Sequence, residues 1–142
     1  MNPTPTDRDR RIDPRAMALS DALQLVGRLM IAPLYLLSGF AKLSAPDQML
    51  AYIDAAALPF PAVALGVAIL VELIGGALLV VGYKVRAVAA IMALFTLATA
   101  IIFHNQLADQ TQFLFFFKNI AIIGGLLQLV ALGGGRWSID NI

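Results

Sequence analysis

Three ionisable residues, Arg28, Glu72 and Lys118, stand inside otherwise apolar stretches of the chain. A charged group costs about 2.5–3.5 kcal/mol at the centre of a bilayer, so such residues face a protein interior and find partners there. Glu72 is the deepest, about ten residues or ~15 Å from either end of its stretch. Arg28 lies towards one end of the expected bundle and Lys118 towards the other. One of these two bases is therefore expected to neutralise Glu72. Asp21, Arg28, Tyr35 and Lys42 also recur every seven residues. An α-helix drifts by only ~20° per heptad, so the four form one narrow stripe, predicted to face the interior opposite Glu72. Asn119, His104 and the Gln106, Gln110 and Gln112 group extend a polar site at the far end.

A structural role is the competing expectation. Arg28 and Glu72 would then form an orienting ion pair, while Lys42, Lys118 and His104 snorkel to the interface. Glu72 points more to function, because apolar packing serves structure at mid-membrane at least as well as a carboxylate does. Glu72, His104 and Lys118 are the candidate catalytic residues. Arg28, Tyr35, Lys42 and Asn119 are the candidate ligand-binding residues.

Composition narrows the chemistry. The chain has 142 residues, 60% of them hydrophobic and only 13% charged. A soluble domain carries roughly 45–50% apolar and about 25% charged residues. The absence of cysteine excludes a disulfide, a CxxC redox centre and a thiolate metal site. It also argues against the four-helix thiol oxidases of bacterial membranes. The single histidine, His104, makes a histidine-rich metal or haem site unexpected, so the metal set is none. A net charge of +1 gives no case for nucleic acid.

The elements that must hold these residues are four apolar spans. They run from about Asp21 to Leu43, Ala62 to Gly82, Ala87 to Phe103 and Phe113 to Leu132. Each has roughly 17–23 residues, which at ~1.5 Å rise matches a hydrocarbon core of ~30 Å. Ser20 is the expected N-cap of the first. Ser44-Ala45-Pro46-Asp47 has the form of a capping box and predicts a short amphipathic helix to about Ala57. Met49, Leu50 and Ile53 make its apolar side, and it is expected to lie in the membrane interface. Tyr83–Arg86 is a tight basic turn, His104–Gln112 a polar loop, and Gly133-Gly134-Gly135 a stop signal. The fold class is all-α: a four-transmembrane-helix up-down-up-down bundle with an interfacial helix between spans one and two. Gly75, Gly76, Gly124 and Gly125 are expected to let helices pack closely.

Residues 1–20 read as a disordered cytoplasmic tail and 21–142 as one transmembrane domain. Arg10-Arg11 is in the wrong context for a twin-arginine signal, and Ala16-Met17-Ala18 precedes the apolar segment, so no cleaved signal is expected. Arg8, Arg10, Arg11, Arg15, Lys84, Arg86 and Arg136 fall on one side of the membrane and only Lys42 in the other side's loops. This bias places both termini in the cytoplasm. Tyr83 and Trp137 suit that interface, and Tyr52, Phe60 and Phe113 the opposite one.

Read in order, these residues resemble the DoxX family of bacterial membrane proteins over about residues 24 to 140. The resemblance rests on Gly27-Arg28, Ser38-Gly39-Phe40-Ala41-Lys42-Leu43, Glu72-Leu73-Ile74-Gly75-Gly76, Gly82, Arg86, Phe103-His104 and Phe117-Lys118-Asn119. It implies a four-helix protein of the cytoplasmic membrane. Some relatives are linked to membrane oxidoreductase assemblies, including a thiosulfate:quinone oxidoreductase subunit. The first expectation is therefore a subunit or accessory of a membrane oxidoreductase system that binds a quinone or small anion in the bundle. It would hold no intrinsic cofactor, and electrons would pass through a bound quinone or a partner. A small proton-coupled transporter and a structural or assembly protein without catalysis are the alternatives. Candidate partners are the lipid bilayer, membrane or redox proteins, and further copies of the chain.

Overall fold

The computed structural model describes residues 13–141, so the expectation of a tail over residues 1–12 lies outside the described residues. The described chain is helical, without strands. Its helices are α1 (Pro14–Ser44), α2 (Pro46–Ala55), α3 (Pro61–Val81), α4 (Val85–Phe103) and α5 (Gln110–Leu132), followed by a 3-10 turn at Ile139–Asn141. By length and composition α1, α3, α4 and α5 can each cross a membrane. Many of their leucines, valines and isoleucines point outwards, Met30 and Leu94 among the most exposed. Such a surface suits lipid as its solvent rather than water.

The first helix begins at Pro14, seven residues before the expected start at Asp21. Asp13 is its N-cap and accepts from the Arg15 amide at 2.9 Å, while Pro14 brings a preset φ and no N–H to satisfy. Ser20, the expected cap, lies inside the helix, where its hydroxyl accepts from Gln24 Nε2 at 3.0 Å. At 31 residues α1 is ~46 Å long, more than a hydrocarbon core requires.

The capping box at Ser44 does not form. Ser44 keeps helical geometry as the last residue of α1, and its hydroxyl turns back to the Phe40 carbonyl at 2.9 Å. Ala45 takes the N-cap position of α2 without a side-chain bond, and Pro46 starts the helix. Ile53 is buried and Met49 and Leu50 half-buried, so the apolar side of α2 packs onto the bundle. Ala57 and Phe60 both adopt φ 55°, which turns the chain sharply into Pro61 and α3. Asp109 caps α5 by accepting from the Gln112 amide at 2.9 Å. The fourth span therefore begins at Gln110 rather than Phe113.

Arg28 meets Leu79, Ala32 meets Gly76, and Gly39 meets Leu73, so α1 and α3 run antiparallel. Small residues permit this contact. A Cβ at Gly76 would stand 2.9 Å from Leu36 Cγ, and one at Gly39 would stand 2.7 Å from Leu73 Cγ. The core is centred on Ala32, Tyr35, Leu79, Val85, Ala89, Met92 and Leu126, drawn from α1, α3, α4 and α5. The heptad stripe faces inwards: Arg28 and Tyr35 are buried, and Asp21 and Lys42 half-buried. The five aromatic residues expected at the interfaces, Tyr52, Phe60, Tyr83, Phe113 and Trp137, are all exposed.

Candidate functional site

A cavity of about 500 Å³ opens among α1, α3, α4 and α5, with α2 across one end. Its walls are mostly apolar, from residues such as Leu34, Val67, Phe95 and Ile122. Polar groups gather in two clusters on them.

The first cluster is an ion pair. Lys42 Nζ donates to Glu72 Oε1 and Oε2, each at 2.9 Å, and to Ser38 Oγ at 2.9 Å. The Ser38 hydroxyl donates to Glu72 Oε1 at 3.2 Å. The Lys42 side chain is 19% exposed and that of Glu72 7%. A pair so placed keeps its attraction, because little water screens it. The partner of Glu72 is thus neither Arg28 nor Lys118, as the sequence suggested, but Lys42. Behind the pair, Tyr35 OH is hydrogen-bonded to Thr96 Oγ1. Thr96 gives its own proton to the Met92 carbonyl at 2.7 Å, so the tyrosine is the donor between them.

The second cluster lies near the loop between α4 and α5. His104 Nδ1 stands 2.9 Å from Gln112 Oε1, an acceptor, so this nitrogen carries the proton and Nε2 remains for other contacts. The His104 ring packs on Phe115 at 5.3 Å, and Lys118 Nζ lies 4.7 Å from the centre of the same ring. Lys118 is exposed and Asn119 half-buried, and both line the cavity. Tyr35, Lys42, Glu72, His104, Lys118 and Asn119 therefore share one chamber. Gln106 and Gln110 are exposed and do not line it.

Arg28 stands apart. It is completely buried, and Nη1 donates to the carbonyls of Leu79 at 3.0 Å and Val80 at 3.4 Å. Nη2 donates to the Trp137 carbonyl at 2.6 Å. The last turn of α3 leaves carbonyls without intrahelical partners and a partial negative charge, and a buried guanidinium answers both. Arg28 is thereby tied to the C-terminal segment rather than to the cavity. That segment closes the same end through Asp140, whose carboxylate accepts from the amides of Lys84 at 2.5 Å and Val85 at 2.8 Å. Sequence reading missed this closure. Asp140 follows a glycine stop and a polar turn, with nothing local to link it to Lys84.

Comparison with known proteins agrees with this architecture. The DoxX family model matches residues 23–105, from the start of the Arg28 stretch to just past His104. The chain is 35% identical over 124 residues to inner membrane protein YqjF of Escherichia coli K12, covering 87% of this chain and 94% of that protein. It is 30% identical over 130 residues to inner membrane protein YphA of the same strain, covering 87% of this chain and 92% of that one. No solved structure matches it. Four apolar helices, the match across three of them and two full-length inner-membrane relatives lead to one conclusion: the chain belongs to the DoxX family of integral membrane proteins.

Proposed function

We propose that this protein binds a quinone or a small anion in the cavity beside Lys42 and Glu72, as a subunit or accessory of a membrane oxidoreductase system. The observation that carries this reading is the placement of a charged pair, a tyrosine and a histidine on the wall of an otherwise apolar chamber. Ligand sites generally combine apolar walls with a few convergent polar groups, in volumes of roughly 300–1,000 Å³. The ammonium of Lys42 or Lys118 is the donor for a quinone carbonyl or an anion. Glu72 and His104 are the groups that hold or pass protons when a bound quinone is reduced, its two electrons arriving from a partner protein. In this reading both termini lie in the cytoplasm, because Arg15, Lys84, Arg86 and Arg136 gather at one end of the bundle. The chamber then lies towards the outer face.

A cation exporter is the weaker reading. Such a protein needs its carboxylate free to exchange a proton for a cation, and here Lys42 already holds Glu72 from 2.9 Å. The test is purification of the full chain in mild detergent with mass spectrometry of co-purifying quinones and lipids. Enrichment of quinone over bulk lipid is expected, with loss in Ala68→Phe, which fills the chamber. Equal quinone content in both proteins removes the proposal.

A further inference from the structure

The opposite end of the bundle carries a site that the chamber does not use. Lys84, Arg86 and Arg136 line a cleft of about 560 Å³ where α5 ends against the turn between α3 and α4. Among the described residues none of these three cations is in an ion pair. Two carboxylates share the cleft, and both are held by backbone amides. Asp140 accepts from Lys84 and Val85, and Asp21 accepts from Arg136 at 3.0 Å. The Arg86 side chain lies along the α5 terminus, where a Cβ on Gly133 would stand 3.3 Å from its Nε.

The cleft runs into an apolar groove of about 480 Å³ between α1 and α5, and Gln24 and Leu132 line both. Along α1 the groove reaches from Leu19 to Ile31, ~18 Å at helical rise. Its floor is open at Gly27, where a Cβ would meet nothing within 4 Å. Unpaired bases at the mouth of a long apolar groove match a phospholipid, whose charged headgroup and acyl chain are joined in the same way. Cations beside a membrane surface attract anionic lipids by about 1 kcal/mol each. A free phosphate would use the bases and leave the groove unfilled, so the lipid is the better match.

We propose that this end of the bundle binds an anionic phospholipid, with its phosphate on Arg86 and Arg136 and one acyl chain in the α1–α5 groove. The test is native mass spectrometry of the full chain in mild detergent, titrated with phosphatidylglycerol or with phosphatidylcholine of the same chains. Phosphatidylglycerol is expected to be retained at lower concentration. Arg86→Gln and Arg136→Gln should each weaken it by roughly fivefold, and Arg86→Lys by less. Gly27→Leu fills the groove without a clash and should bring phosphatidylglycerol down towards the level of phosphatidylcholine, with every charge intact. If the glutamine variants do not fold, Arg86→Lys and Gly27→Leu carry the test. Equal retention of the two lipids, or binding indifferent to Gly27→Leu, overturns the proposal. Displacement of the lipid by millimolar glycerol phosphate also overturns it, since the cleft would then be a site for free phosphate.

Discussion

Lys42 Nζ stands 2.9 Å from both carboxylate oxygens of Glu72, although their helices join only through α2 and two turns. The direction of the helices explains the meeting. Side chains lean towards the N-terminus of their own helix. In the antiparallel pair α1 and α3, Lys42 therefore leans down into the bundle and Glu72 leans up towards it. The lysine stem spans the remaining depth, and Ser38, one turn before Lys42, bonds to both.

Glu72→Gln is expected to strand the Lys42 ammonium and cost about 3–5 kcal/mol, the usual penalty for breaking a buried pair by removing one partner. Adding Lys42→Gln should recover much of that loss, whereas adding Arg28→Gln should deepen it. Thermal unfolding of the purified variants in detergent measures the difference. Rescue by Arg28→Gln in place of Lys42→Gln would contradict the geometry.

Arg28→Leu removes the donor from three carbonyls on two separate segments. A cost of about 3 kcal/mol is expected, because buried acceptors left unpaired lose their full solvation. Arg28→Lys should recover only part, since an ammonium cannot reproduce the planar fork. Limited proteolysis supplies a second readout. Cleavage within residues 133–141 should accelerate in Arg28→Leu and stay at the wild-type rate in Tyr35→Phe. Equal rates in all three proteins would separate Arg28 from the C-terminal closure.

Asp140→Ala takes the acceptor from the amides of Lys84 and Val85 at the start of α4. By analogy with the loss of a helix cap it should cost about 0.5–2 kcal/mol, with Asp140→Asn closer to wild type. Hydrogen exchange at those two amides should quicken first. Unchanged exchange there would mean that the carboxylate does not hold them.

Reporter fusions after Asn141 and within residues 48–58 should report opposite compartments, the former cytoplasmic. The basis is the gathering of Lys84, Arg86 and Arg136 at one end. Signals from the same compartment would rule out an odd number of crossings between them.

The sequence by itself determined the four helices, because uncharged stretches of that length have few other ways to satisfy their backbone in lipid. It also determined the inward stripe of Asp21, Arg28, Tyr35 and Lys42, since helical periodicity alone puts them on one face. The cap at Asp109 was legible too, although a polar-loop reading carried past it to Gln112. The partner of Glu72 was not legible. Periodicity fixes a residue's angle around its own helix, but not the offset between two helices or how far a lysine stem extends. That choice belongs to the α1–α3 contact, where Gly39 and Gly76 set the register. Arg28 shows the same limit more sharply. Its acceptors are backbone carbonyls at Leu79, Val80 and Trp137, and carbonyls look alike in every residue. Only the tertiary structure decides which of them lies in front of a buried guanidinium.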